Sequence, residues 1–170
     1  MTTHTTRSAE LNPAEAVTIA PMKTAADAQA FYDLNAEWIT AHFELEPNDL
    51  ELLNNPHRVV MDPGGQIYLA HTGGRTVGCV ALMAYEPGTY KIAKMAVTPA
   101  CRGRGIGRQL LVHAIEEARL MGARTLFLAS SSTLVPAIRL YETVGFQCLN
   151  SNEWPFMRFA RANVFMRMDV

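Results

Sequence analysis

The segment Cys101-Arg102-Gly103-Arg104-Gly105-Ile106-Gly107-Arg108-Gln109 joins a strand-like run, Tyr90 to Val97, to a strongly periodic helix. Its glycines alternate with basic residues, so several backbone N–H groups can approach one anion closely, and the following helix adds its positive end. A pyrophosphate suits such a cradle. A P-loop requires Gly-Lys-Ser or Gly-Lys-Thr after its glycines, but here Arg108-Gln109 follows Gly107. A Rossmann turn requires Gly-x-Gly-x-x-Gly and an acidic residue closing the next strand. Here the spacing is Gly-x-Gly-x-Gly and the next strand closes on Ala129-Ser130-Ser131. Alone, the loop reads equally well as a tight connection with solvent-facing arginines.

Working outward, the periodicity predicts a helix from about Gly105 to Met121 that buries Ile106, Leu110, Ala114, Ile115 and Ala118, stopped by Gly122. Thr125 to Ala129 is a β-rich apolar strand, and Ala137 to Val144 a helix with Pro136 in its first turn. Gly145-Phe146 ends that helix and starts a further strand, and Asn163 to Met168 reads as the last one. Upstream, Ala16 to Ala20 is a short strand. Thr24 and Asp27 have capping-box spacing for a helix to about His42, with Phe31, Leu34 and Trp38 on one face and His42 next in that row. Pro47 to Leu53 suggests a short helix. Ile67 to His71 and Thr76 to Tyr85 form a hairpin through Gly73-Gly74. A strand–helix–strand unit within an otherwise antiparallel sheet makes a mixed α/β or α+β domain.

The chain has 170 residues, 49% apolar and 18% charged, which suits one domain with a full core. Residues 1–14 read as a frayed tail and 15–170 as the domain. A net charge of −1 gives no case for nucleic acid or an anionic membrane. No run is long enough to span a bilayer, and the start lacks a signal peptide's apolar stretch. Cys79, Cys101 and Cys148 lack metal-ligand spacing and read as reduced thiols of a cytoplasmic protein, with no metal expected.

Arg102-x-x-Gly105-x-Gly107, after Lys94-Met95-Ala96-Val97-Thr98-Pro99, resembles the coenzyme A signature of the GNAT superfamily of acetyl-CoA-dependent N-acetyltransferases. Leu140-Tyr141-Glu142-Thr143-Val144-Gly145-Phe146 is similar to that family's second motif. The resemblance covers Tyr90 to Phe146. It implies a GNAT-type, mostly antiparallel sheet of six to seven strands, helices on both faces, and a splayed central strand pair. It implies transfer of an acetyl group from acetyl-CoA to a primary amine by direct attack in a ternary complex.

By resemblance, the N–H groups of Gly103, Gly105, Ile106, Gly107 and Arg108 bind the pyrophosphate, Arg102 fills the family's Arg-or-Gln position, and Arg104 and Arg108 add charge or are solvated. Met95, Ala96 and Val97 lie where the pantetheine arm pairs with the splayed strand. The N–H of Met95 is the candidate oxyanion donor, and Tyr141 the candidate acid for the leaving thiolate.

Lys91 stands where many relatives carry a glutamate base, and a lysine is ordinarily protonated at neutral pH. Water, Glu44, Glu86 or His42 are the other candidates for removing the acceptor's proton. Lys91 also motivates an alternative, a non-catalytic acetyl-CoA-binding regulatory module. Trp38, His42, Phe43, Glu44, Glu46, Trp154 and Phe156 are the candidate acceptor liners, aromatics and carboxylates suited to an ammonium group on a small molecule or peptide. The acceptor's identity and the oligomeric state, a homodimer included, stay open.

Overall fold

The computed structural model describes residues 15–153 and 161–170. The expected tail, and Trp154 and Phe156, lie outside the described residues. The elements follow in the order β1 (Thr18–Pro21), α1 (Ala25–His42), α2 (Pro47–Asn54), a π-helical turn (His57–Met61), β2 (Gln66–Thr72), β3 (Arg75–Glu86), β4 (Thr89–Val97), α3 (Ile106–Leu120), β5 (Thr125–Ser130), α4 (Val135–Val144), β6 (Gln147–Cys148) and β7 (Val164–Asp169). They form a mixed, mostly antiparallel seven-stranded sheet in the order β1-β2-β3-β4-β5-β7-β6, whose parallel pair is β4 with β5.

The local signals act as read. Thr24 Oγ1 accepts from the Asp27 N–H at 3.0 Å, and the Asp27 carboxylate accepts from the Thr24 N–H at 3.1 Å, so a capping box starts α1 with Asp in place of the usual Glu. Gly73 and Gly74, at φ 57° and 70°, make the two-residue turn between β2 and β3. In α2, Pro47 opens the helix and Asp49 Oδ2 accepts from the Glu46 N–H at 2.9 Å. The π-helical turn after Pro56 was not anticipated.

Strand alternation divides the core between the two faces of the sheet. Ile67, Leu69, Cys79 and Ala81 pack under α1 and α2, against Phe31, Leu34, Leu52 and Leu53. Tyr68, Ala70, Val80 and Leu82 pack on the other face against Leu110, Leu111, Ala114 and Ala118 of α3. Gly78 lets α3 approach closely. A Cβ there would stand 2.8 Å from Leu110 Cδ1. The buried face of α1 is Phe31, Leu34, Asn35 and Ile39, with Trp38 half-buried; His42, at the last turn, is exposed.

Candidate active site

β4 and β5 pair in parallel at three positions, Thr89 with Thr125, Tyr90 with Leu126 and Lys91 with Phe127. Beyond them β5 pairs only with β7, through Ser130 opposite Val164. Among the described residues, the edge of β4 from Ile92 to Val97 is left without a strand partner on that side. A cavity of about 500 Å³ occupies the wedge.

A bulge bends β4 inside this wedge. The register steps from Cys79 opposite Ala96 to Ala81 opposite Ala93, one extra residue on β4. Lys94 takes φ 52°, in the left-handed region. That conformation costs a lysine about 1–3 kcal/mol. The carbonyl of Lys94 accepts from the buried Cys79 thiol at 3.4 Å, and Asn35 Nδ2 donates to the same sulfur at 3.4 Å and to the Phe31 carbonyl at 2.9 Å. The bulge is thus anchored from α1 through β3. Met95 follows it and lines the cavity.

The glycine loop closes one end. Gly103 and Gly105 have φ 76° and 78°, and a Cβ on either would meet no atom of the described residues within 4 Å. Backbone conformation therefore demands glycine there, and the space a side chain would fill stays open to a ligand. Gly107 is an ordinary helical residue whose Cβ would rest 3.7 Å from Leu140 Cδ2. Gly105 is the N-cap of α3 and supplies no side chain to cap it. The first N–H groups of that helix lack intrahelical acceptors. Arg102 Nε donates to the Val97 carbonyl at 3.2 Å, and Arg108 Nη1 to Thr143 Oγ1 at 3.3 Å. Arg104 is turned to Cys101 Sγ at 3.7 Å and does not line the cavity. The loop, β4's open edge and the uncapped helix fit a diphosphate on an extended arm.

α4 forms the opposite wall with Leu140 and Tyr141. The Tyr141 ring meets Phe146 edge-on at 6.2 Å. Burial pushes its hydroxyl up to about 12, so it stays protonated through the neutral range.

The far end is made of side chains. Trp38 lines it, with Asn35, Ile39 and Phe43. His42 stacks against Trp38 at 5.2 Å from outside, and neither His42 nor Glu44 is among the lining residues. Glu44 and Glu86 are exposed, and Trp154 lies outside the described residues. Reasoning from sequence missed the ionic cluster behind this end. The Asp49 carboxylate is 3% exposed. It accepts from Lys94 Nζ at 2.5 Å and from Nη1 and Nη2 of Arg161, at 2.8 and 2.5 Å. Arg161 also donates to Glu46 Oε2 at 3.1 Å and the Glu44 carbonyl at 3.2 Å, and stands 5.7 Å from the Phe43 ring centre. Burial pushes the Asp49 carboxyl up, but bonds from Arg161, Lys94 and the Glu46 N–H outweigh it and hold the group below the usual carboxylate range.

Lys91 lines the cavity at the point of the wedge. Burial, reinforced by the Lys94 charge, brings its ammonium down to about 8. No group of three or more His, Cys, Asp or Glu able to hold a metal occurs among the described residues.

This fold and this sequence have relatives. The profile of the acetyltransferase (GNAT) family matches residues 27–146. The uncharacterized N-acetyltransferase YvbK of Bacillus subtilis is 29% identical over 120 residues, 69% of this chain and 77% of that protein. The crystal structure of a GNAT-family acetyltransferase from Staphylococcus aureus superposes with a TM-score of 0.82 at 19% identity, covering 91% of this chain and 99% of that one. A Bacillus subtilis acetyltransferase in complex with CoA superposes with a TM-score of 0.68 at 22% identity, over 91% and 99% of the two chains. The chain belongs to the acetyltransferase (GNAT) family and is an acyltransferase.

Proposed function

We propose that the protein transfers an acetyl group from acetyl-CoA to a primary amine by direct attack in a ternary complex. One arrangement carries this reading: an unpaired strand edge, a glycine loop and an uncapped helix meet Tyr141 in a single cavity. The solved relative that holds CoA supports the choice of donor.

Acetyl-CoA supplies the acyl carbon as a thioester, on which the amine lone pair forms the C–N bond as the C–S bond breaks toward sulfur. Every other task falls to this chain. N–H groups from Gly103 to Arg108 hold the diphosphate, and the edge of β4 at Met95, Ala96 and Val97 aligns the arm. The Met95 N–H donates to the carbonyl oxygen as charge gathers there. The Tyr141 hydroxyl gives its proton to the departing sulfur, and the proton released by the nitrogen restores the phenol through solvent. The products are an amide and a free thiol. The non-catalytic alternative is not favoured. Cys79 and Cys101 are buried thiols and Cys148 an exposed one, which suits the reducing cytoplasm. No helix among the described residues is long and apolar enough to cross a membrane.

The test is thiol release from acetyl-CoA over a panel of amines, beside calorimetric titration with CoA. Turnover with saturable CoA binding is expected. CoA binding with no turnover of any amine, even at high pH, would overturn transfer in favour of sensing.

A further inference from the structure

The acceptor end of the cavity carries charge of one sign. Its lining includes Lys91, Lys94 and Arg161, and among the described residues no Asp or Glu lines the cavity. The two carboxylates bonded to Lys94 and Arg161 are Asp49 and Glu46. Asp49 is buried and holds Lys94 and Arg161 in place, while Glu46 engages Arg161 from the half-exposed side. Neither reaches the lining. This is the reverse of the carboxylate-lined pocket expected from the sequence, because the buried negative charge is bonded to two of the lining cations.

Among the described lining residues, the charged side chains that a simple ammonium would meet here are cations. An anion would be drawn in, and it would relieve the repulsion between Lys91 and Lys94, which face one cavity from one strand. The position is right for an acceptor group. Lys91 lies six residues before Val97, roughly 15–20 Å along β4 from the diphosphate end. The surroundings suit the chemistry as well, since nearby cations lower the pKa of a bound amine and favour its nucleophilic, neutral form.

Resting on the transfer reaction proposed above, we infer that the acceptor carries a carboxylate besides its amine, and that Lys91, flanked by Lys94 and Arg161, receives that carboxylate. The substrate class is amino acids and related amino acids of greater length, not simple alkylamines or polyamines.

The experiment compares amino acids with their own amides, which differ only in the anionic group, using the full chain and acetyl-CoA. The expected result is a kcat/KM at least tenfold higher for the acids. Lys91→Gln is expected to bring that ratio close to one, Lys91→Arg to keep it, and Lys91→Glu to invert it, each with CoA affinity unchanged by calorimetry. Amides or alkylamines used as well as the acids by the parent protein would overturn the inference and leave acetyl transfer standing. If no amine is turned over, transfer itself falls. Calorimetry with N-acetyl amino acids and their amides on the CoA-loaded protein then decides: acid-selective binding lost in Lys91→Gln supports the carboxylate site, and equal or absent binding overturns it.

Discussion

The donor end of the cavity is made of backbone, and the acceptor end of side chains. At the donor end, Gly103 and Gly105 contribute no side chain, Met95 to Val97 offer a strand edge, and α3 offers its first N–H groups. At the acceptor end Lys91, Lys94 and Arg161 line the space, and two of them depend on one buried carboxylate. A backbone site is tied to a local chain conformation, so its requirements are contiguous in sequence. A side-chain site can be assembled from any three segments that the fold brings together.

The contrast is broken most severely at Gly105. Valine there would be forced into φ 78° beside the anion site, although no atom of the described residues lies within 4 Å of its Cβ. We expect CoA affinity to fall by about 10²–10³-fold, from roughly 3–4 kcal/mol of strain and lost approach. Gly107→Ala is the control. Its Cβ meets only ordinary contacts at 3.7 and 3.9 Å, so it should fold as the parent does. Titration with CoA checks both. Full affinity in Gly105→Val would remove the loop from the donor site.

At the side-chain end, Asp49→Ala strips Lys94 and Arg161 of their shared partner. The expected loss of stability is about 3 kcal/mol, the low end for a broken buried pair because both cations reach the cavity. That is ~6–12 °C in Tm, read by thermal denaturation. The sign with pH is fixed by the lowered Asp49 pKa. Its contribution is complete above the ordinary carboxylate range and is lost as pH falls below it. The gap between parent and variant should therefore shrink in acid. A variant as stable as the parent at neutral pH would show that the cluster binds nothing together.

The difference between the ends also explains what the sequence disclosed. The loop glycines, the Thr24–Asp27 box, the Gly73-Gly74 turn and the α3 stripe act through near neighbours, and each was legible. Arg161 and Asp49 are 112 residues apart, and no spacing rule links them. Asp49 reads simply as an acid in a helix's first turn. Lys94 belongs to a residue type that does not favour the left-handed region, so the bulge that opens β4 has no local signature. His42 continues the apolar row of α1 on paper, but the core ends before it and the ring is left outside, against Trp38.

Tyr141 stands between the two ends, on α4. Tyr141→Phe removes one hydroxyl and leaves the ring's contact with Phe146 intact. We expect kcat to fall by about 10²-fold with CoA affinity unchanged. With the phenol pushed up to about 12, no loss of rate from its ionisation should appear in the neutral and mildly alkaline range. Parental kcat in the variant at every pH would transfer the acid role to another group.

The smallest effect is the one that best separates function from stability. Lys91 is drawn down from 10.5 to about 8, so the folded protein holds this proton less tightly than the unfolded chain. Between those two values the unfolded state binds more protons, and stability must rise with pH. Below about 8 both states are protonated, and the folded state carries a charge that burial disfavours. Lys91→Met keeps the apolar stem and deletes the charge. It should gain about 1 kcal/mol at pH 7, ~2–4 °C in Tm, and should lack the parental rise between pH 8 and 10.5. The same change should weaken turnover of carboxylate-bearing acceptors, the exchange expected where a charge is kept for binding at a cost to the fold. A Lys91→Met protein less stable than the parent at pH 7 would mean that the side chain's contacts within the fold outweigh the burial of its charge, and that its place in the cavity serves structure before substrate.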